Sequence, residues 1–374
     1  MKAKFLSITI ISILSFNSAI AQVYQGAFEE IYFLREPSTS AEATGKTYLF
    51  FNNDAFSSSY NPSLPSLLKS VNASYTNSKK LYSQENANYH SIALNIPVKE
   101  IGVISASRRF YDFGEDIEVS TINNPDGTGK KGRVTEAIYN INIARQIFTD
   151  FYLGLGINYL HNELIINKFD YYSASLGLAF IHTFNSPDVI NQKLFLGAAV
   201  NNFISFSSNN EVNIITQVDE NLPPNGNENA TIDYKISLPQ INLWTLGYKM
   251  DYNGIGLLKD MSDLTSTIQI EYLDVLNAGK YNRYSTGIEL KFLGILAARI
   301  GYYSFDDTYS KKEDFTYGIG INVPINLFTE LPLSIGFDYT SLEQEAGSPY
   351  FHFQNFNSLT FSLVYGCWLG AKVL

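Results

Sequence analysis

From about residue 70 to the end of the chain, apolar side chains alternate one for one with polar or small ones, and few folds can use that pattern. In LPLSIGFDYT (331–340), Leu331, Leu333, Ile335, Phe337 and Tyr339 share one face of an extended strand; Pro332, Ser334, Gly336, Asp338 and Thr340 share the other. FYLGLGINYL (151–160), YGIGINV (317–323) and SLTFSLVYG (358–366) repeat the pattern. YSTGIELKF (284–292) does so with Glu289 and Lys291 on the polar side. A soluble sandwich would hide the apolar face against a second sheet. A membrane barrel would turn it to lipid and keep the polar face for its lumen. Three features favour the barrel. Gly, Ser, Asn and Thr crowd the polar face. The runs reach about 10 to 13 residues, close to what a tilted strand needs to cross a bilayer. No helical stretch interrupts them.

Fourteen such runs are expected, at about 70–80, 87–97, 100–112, 135–147, 151–164, 169–184, 192–204, 233–252, 265–276, 281–293, 296–305, 314–325, 331–342 and 356–368. The number is even, as in bacterial barrels. Connections after the second, fourth, tenth and twelfth runs are short, and those after the third and seventh (113–134 and 205–232) are long. Short periplasmic turns and longer outer loops then place both termini in the periplasm. The eighth run is too long for one plain crossing, and Pro239 suggests a bulge or an extension above the membrane.

The rest of the chain fits an exported barrel. Lys2 and Lys4, the apolar run Phe5 to Phe16 and the small residues Ala19 and Ala21 read as a signal peptide over 1–21. Beyond it no run of about 18 apolar residues could form a membrane helix. Tyr and Phe number 26 each against 3 Met, a bias that suits pleated surfaces. The single cysteine, Cys367, excludes an internal disulfide framework and reads as a small buried or lipid-facing residue. A net charge of −10 argues against nucleic acid as a partner. The expected organisation is a signal peptide (1–21), an N-terminal segment (22–68) and a barrel (69–374) that contacts outer-membrane lipid.

The N-terminal segment is not needed to close a barrel, and its sequence is distinctive. YFLREPSTSAEATGKTYLFFNNDAFSSSYNPSLPSLL (32–68) resembles the N-terminal signature of the FadL-like outer-membrane superfamily, and more closely its PorV/PorQ branch, found in Bacteroidota. The matching positions are Pro37 and Ala41, then Gly45, Asp54 with Ala55, and Asn61 with Pro62. The stretch 103–164 is similar to the third to fifth strands of PorV-type proteins. Beyond residue 165 the likeness is architectural. The resemblance implies that 22–68 folds into the lumen as a plug. It also implies a non-enzymatic component of type IX protein secretion, bound to a translocon or to exported cargo. The broader FadL-like resemblance implies a transporter for hydrophobic small molecules, and the polar lumenal positions Asn158, Asn322, Ser334 and Asp338 weigh against a greasy conduit.

Other motifs carry little chemistry. DFG (112–114) lacks the strand lysine and glycine-rich loop of a kinase and reads as a turn at the barrel lip. Asp112, Glu115, Asp116 and Glu118 could offer oxygens to calcium, but Lys130, Lys131 and Arg133 can balance them, and no metal or cofactor is expected. His90, His161, His182 and His352 lie in separate runs without ligand spacing. GLG (154–156) and GIG (318–320) lie inside strands, where glycine marks close backbone approach. The loop 205–233 carries Glu211, Asp219, Glu220, Glu228 and Asp233 with no lysine or arginine. Together with Asp112, Glu115 and Asp116 it is the candidate surface for a protein partner.

Overall fold

The computed structural model describes residues 35–50, 54–79, 87–114, 116–118, 131–165, 167–184, 189–207, 211–213, 231–233, 238–256, 262–276, 281–307, 311–342 and 356–366. The signal-peptide and Cys367 expectations lie outside them. Fourteen strands dominate: β1 (Val71–Lys79), β2 (Asn88–Val98), β3 (Gly102–Asp112), β4 (Lys131–Phe148), β5 (Phe151–Ile165), β6 (Asn167–Phe184), β7 (Ile190–Ser207), β8 (Gln240–Tyr252), β9 (Leu264–Leu276), β10 (Tyr281–Phe292), β11 (Leu296–Asp307), β12 (Lys311–Pro324), β13 (Leu333–Leu342) and β14 (Phe356–Tyr365). Each pairs antiparallel with the strand before and after it in sequence, and β14 pairs with β1 from Val71↔Tyr365 to Lys79↔Asn357. The sheet therefore closes on itself and leaves no long open edge.

The alternation maps onto two faces. Along β13, Phe337 and Tyr339 point outward and exposed, while Ser334, Gly336, Asp338 and Thr340 are buried. The outward face is a band of Ile, Leu, Phe and Tyr; Ile141 on β4 and its register partner Ile157 on β5 are 66% and 68% exposed. Exposure of such side chains all round a closed sheet is the signature of a barrel solvated by lipid, in which each strand also satisfies its neighbours' backbone groups. Aromatic rows flank the band. Toward the β5–β6 hairpin, Tyr139, Tyr159 and Tyr172 are register neighbours with ring centroids 5.8 and 5.2 Å apart. At the other end lie Phe148, Phe151 and Phe180.

Strand positions follow the alternation closely, with two departures. The eighth strand spans thirteen residues and begins at Gln240, directly after Pro239, so the proline stands just outside the ladder of a single crossing that is shorter than the expected 233–252 run. Connection lengths are also less asymmetric: at the end of the barrel that carries the long connections, β5 and β6 are separated by a single residue. β4 to β7, of 18, 15, 18 and 18 residues, are the longest strands of the sheet.

Candidate functional site inside the barrel

Residues 35–50 and 54–68 lie within the lumen as two short helices, α1 (Thr39–Ala43) and α2 (Ser57–Tyr60), a 3-10 turn (Leu64–Leu67) and the connecting backbone. Helices of one turn have no stability of their own in water. They are held by the wall. Its lumenal glycines let the inner backbone come within contact distance. A Cβ on Gly154 would sit 1.9 Å from the Pro62 carbonyl oxygen, and one on Gly301 1.9 Å from the Gly45 nitrogen. The glycines of GLG and GIG thus serve close approach, Gly154 to Pro62 and Gly318 to Ala43.

The residues singled out in the 32–68 signature take up distinct positions in this contact. Pro37 borders the cavity at the long-connection mouth, and Ala41 is fully buried in α1. Gly45 has φ of +68°, and its amide donates to Thr316 Oγ1 on β12 at 2.7 Å. Asp54 is the internal hub: its carboxylate accepts from the Ser38 hydroxyl, Ser40 Oγ (3.2 Å), Tyr48 OH (2.8 Å) and the Phe56 amide (3.0 Å). Burial pushes the Asp54 carboxyl above its usual value against the pull of these donors, and burial with the nearby Asp54 charge raises the Tyr48 phenol well above its own. Asn61 bridges two strands, donating from Nδ2 to the Leu178 and Ala198 carbonyls at 3.1 and 3.2 Å, while its Oδ1 accepts from the Ser63 amide and hydroxyl. The Pro62 carbonyl accepts from Asn142 Nδ2 at 2.9 Å.

Buried ion pairs add a second set of ties. Arg283 of β10 donates to Glu36 at 2.8 Å, to the Lys46 carbonyl at 3.0 Å and to Glu271 of β9 at 3.2 Å, joining the inner segment to two strands. Within the segment, Lys46 pairs with Glu42 at 3.1 Å. Nearer the short-turn end, Arg299 joins Glu289 and Asp338, and Lys291 also pairs with Glu289.

The lumen is not polar all round. Asn158, Asn322, Ser334 and Asp338 do face it, on β5, β12 and β13, but they describe one side only. On β6 to β9 the lumenal positions Ala179, Ile181, Phe195, Ala199, Ile241, Leu243, Leu273 and Val275 form one apolar cluster with Tyr48, Phe50, Phe56, Tyr60 and Leu64 of the inner segment. Phe50 stacks on Phe195 with centroids 3.8 Å apart, and Tyr48 on Tyr60 at 4.4 Å. By register the strip runs inward from Ile241 and Val275, through Leu243, Leu273 and Ala199, to Phe195 and Ile181. One lumenal step further come Lys193 and Lys249.

Two cavities flank the inner segment and share no lining residue. One of about 50 Å³ lies toward the long connections, among Glu36, Tyr60, Arg109, Asn158, Leu243 and Arg283. One of about 340 Å³ lies toward the short turns, among Asp54, Lys249, Asp251, Glu289, Lys291 and Arg299. Outside the wall, level with Gly197 and Ala179, is a concavity of about 680 Å³ lined by Phe151, Phe180, Leu196 and Trp244.

Of the acidic candidates for a partner surface, Asp112, Asp116 and Glu211 lie among the described residues. Asp112 ends β3 and is taken up by Arg133 at 2.9 Å and by the Gly114 amide, a lip turn rather than a cation site. Asp116 is exposed. Glu211 begins a three-residue strand paired with Thr231–Asp233. Glu115, Asp219, Glu220 and Glu228 lie outside the described residues. What sequence reasoning missed is the ion-pair set and the apolar strip. The strip had a signal: LFLGAAV (194–200) and INLWTL (241–246) carry apolar residues on both faces, which strands with a purely polar lumenal side do not.

No family model matches the chain, and no curated protein matches it. Among solved structures it is similar to a FadL homologue of Pseudomonas aeruginosa (10% identity, 88% of this chain and 98% of that one, TM-score 0.42). It is also similar to the toluene transporters TodX of Pseudomonas putida (10%, 88% and 97%, 0.42) and TbuX of Ralstonia pickettii (9%, 88% and 97%, 0.46). At these levels the likeness is one of general shape, and the function has to come from the lumen itself.

Proposed function

We propose that the protein is a plugged outer-membrane barrel, its N-terminal segment acting as the plug, that admits a hydrophobic small molecule along the apolar strip of β6 to β9. One observation carries this: a sector of an otherwise polar lumen, on four of the fourteen strands, carries a strip of Ile, Leu, Val, Phe and Ala, and the plug covers that strip with its own aromatic rings. A hydrophobic solute can replace Phe50, Phe56 and Tyr60 against the strip without leaving a buried polar group unpaired, whereas a polar solute cannot. The strip stops at Lys193 and Lys249, and the cavity beyond is lined with charge. An apolar solute gains nothing by continuing there, so its exit is sideways, past Ala179 and Gly197 toward the bilayer-facing concavity. Both termini lie on the periplasmic side in this scheme.

The test is uptake of a labelled aromatic hydrocarbon by intact cells carrying the barrel. Phe50→Ala should raise uptake and Leu243→Glu should lower it, with uptake of a sugar of similar size unchanged in both. Equal hydrocarbon uptake with and without the barrel would end the proposal. A second reading, a closed barrel that docks a secretion partner through its outer loops, is favoured by the inner segment standing between two cavities that share no lining residue. It expects co-purification of a protein partner that is lost on shortening 209–230, with uptake unaffected by Phe50→Ala.

A further inference from the structure

Arg108 stands on the lipid-facing side of β3, opposite Ile92 of β2 and Tyr139 of β4 in register. A cation on that face is costly at mid-bilayer and is kept only where water or an anion meets it. Its depth is fixed by its neighbours. The row Arg108, Tyr139, Tyr159, Tyr172 runs continuously across β3 to β6, and tyrosine rows of this kind sit at headgroup level.

The guanidinium is framed there. Its central carbon lies 4.5 Å from the Phe110 ring centroid and 5.6 Å from that of Tyr139, and the His90 ring lies 5.0 Å from Phe110. Stacking of this kind fixes the plane of an arginine and leaves its edge N–H groups for an acceptor. The acidic residues on the same outward face of β3 to β6 are taken up elsewhere: Asp112 by Arg133 at 2.9 Å, Asp170 by His161 at 2.8 Å and Glu163 by Lys168 at 3.1 Å. Nε of Arg108 is buried and has no hydrogen-bond partner. By contrast, Arg283 and Arg299 are each held by two carboxylates.

We propose that Arg108, set between Phe110 and Tyr139, binds the phosphate of an anionic lipid headgroup in the leaflet at the long-connection end of the barrel. The planar fork of an arginine matches phosphate oxygens, and the aromatic frame holds it at the depth where those phosphates lie.

The experiment is native mass spectrometry of the folded, full-length protein in detergent, titrated with phosphatidylglycerol and, separately, with a phosphate-free galactosyl lipid of the same acyl chains. The wild type should retain phosphatidylglycerol in preference to the galactolipid. Arg108→Gln should weaken that binding roughly five- to tenfold, Arg108→Lys less, and Arg145→Gln, at the opposite end of the lipid face, not at all. Inorganic phosphate at about 10 mM should not displace the lipid, since an arginine among aromatic rings at the bilayer surface gains from the acyl chains as well. Equal retention by Arg108→Gln, no preference in the wild type, or displacement by free phosphate would each overturn the proposal. The first two would leave Arg108 as a side chain that merely reaches for water.

Discussion

Arg283 joins plug and wall through a buried ion cluster, and its removal should separate the stability of the one from that of the other. Arg283→Met keeps the bulk and deletes the charge. Glu36, on the plug, and Glu271, on β9, then face each other in a site where both side chains are at most 7% exposed. Breaking a buried pair by removing one partner costs about 3–5 kcal/mol. The backbone ladders of β9, β10 and β11 are untouched, so the barrel has no reason to unfold. The strain is relieved when residues 35–47 leave the wall and Glu36 reaches water. A cost of that size shifts the closed–open balance of the plug by roughly 150- to 4,000-fold. The assay is conductance of single barrels in a planar bilayer at neutral pH. The wild type should be closed and Arg283→Met should show frequent openings, with the thermal unfolding of the barrel nearly unchanged. The triple variant Arg283→Met, Glu36→Met, Glu271→Met should close again, because an apolar set of similar volume can replace a buried ion cluster without penalty. If the single variant stays closed, or if the triple variant leaks as much as the single, the ion cluster does not latch the plug.

Other consequences can be measured independently. Gly301→Leu should release the plug without a charge change, because its Cβ would fall 1.9 Å from the Gly45 nitrogen; protease cleavage within 35–68 reports it, and resistance equal to wild type would contradict the close approach. Ile288→Arg, in the middle of the lipid-facing band, should cost about 2–4 kcal/mol in urea titrations of folding into vesicles, and a cost near zero would argue against a lipid-facing Ile288. A cysteine at Asn225, which lies outside the described residues, should react with an impermeant reagent on intact cells and one at Lys99 should not; the reverse pattern would invert the proposed orientation.

The barrel was legible because a strand has a side-chain period of two. In 151–160 and 331–340 each residue's neighbours in sequence already say which face it takes, and a register slip of one residue would turn every isoleucine inward. The same rule placed Glu289 and Lys291 on the lumenal side. Where β8 begins was harder to read, since Pro239 disturbs the alternation and a local bulge and a strand end look alike in sequence. The glycines in GLG and GIG could be read as places of close approach, but not what approaches them. That the partners are Pro62 and Ala43, some 90 and 275 residues away in the chain, is decided only when the sheet closes. The ion cluster is of the same kind. Glu36, Glu271 and Arg283 are unremarkable charges until the barrel brings β9, β10 and the inner segment to one point, and burial there turns three surface-type residues into an ion cluster. Period two says that a side chain points inward; which other inward-pointing groups it meets depends on closure, shear and the path of the plug, and none of these is local in sequence.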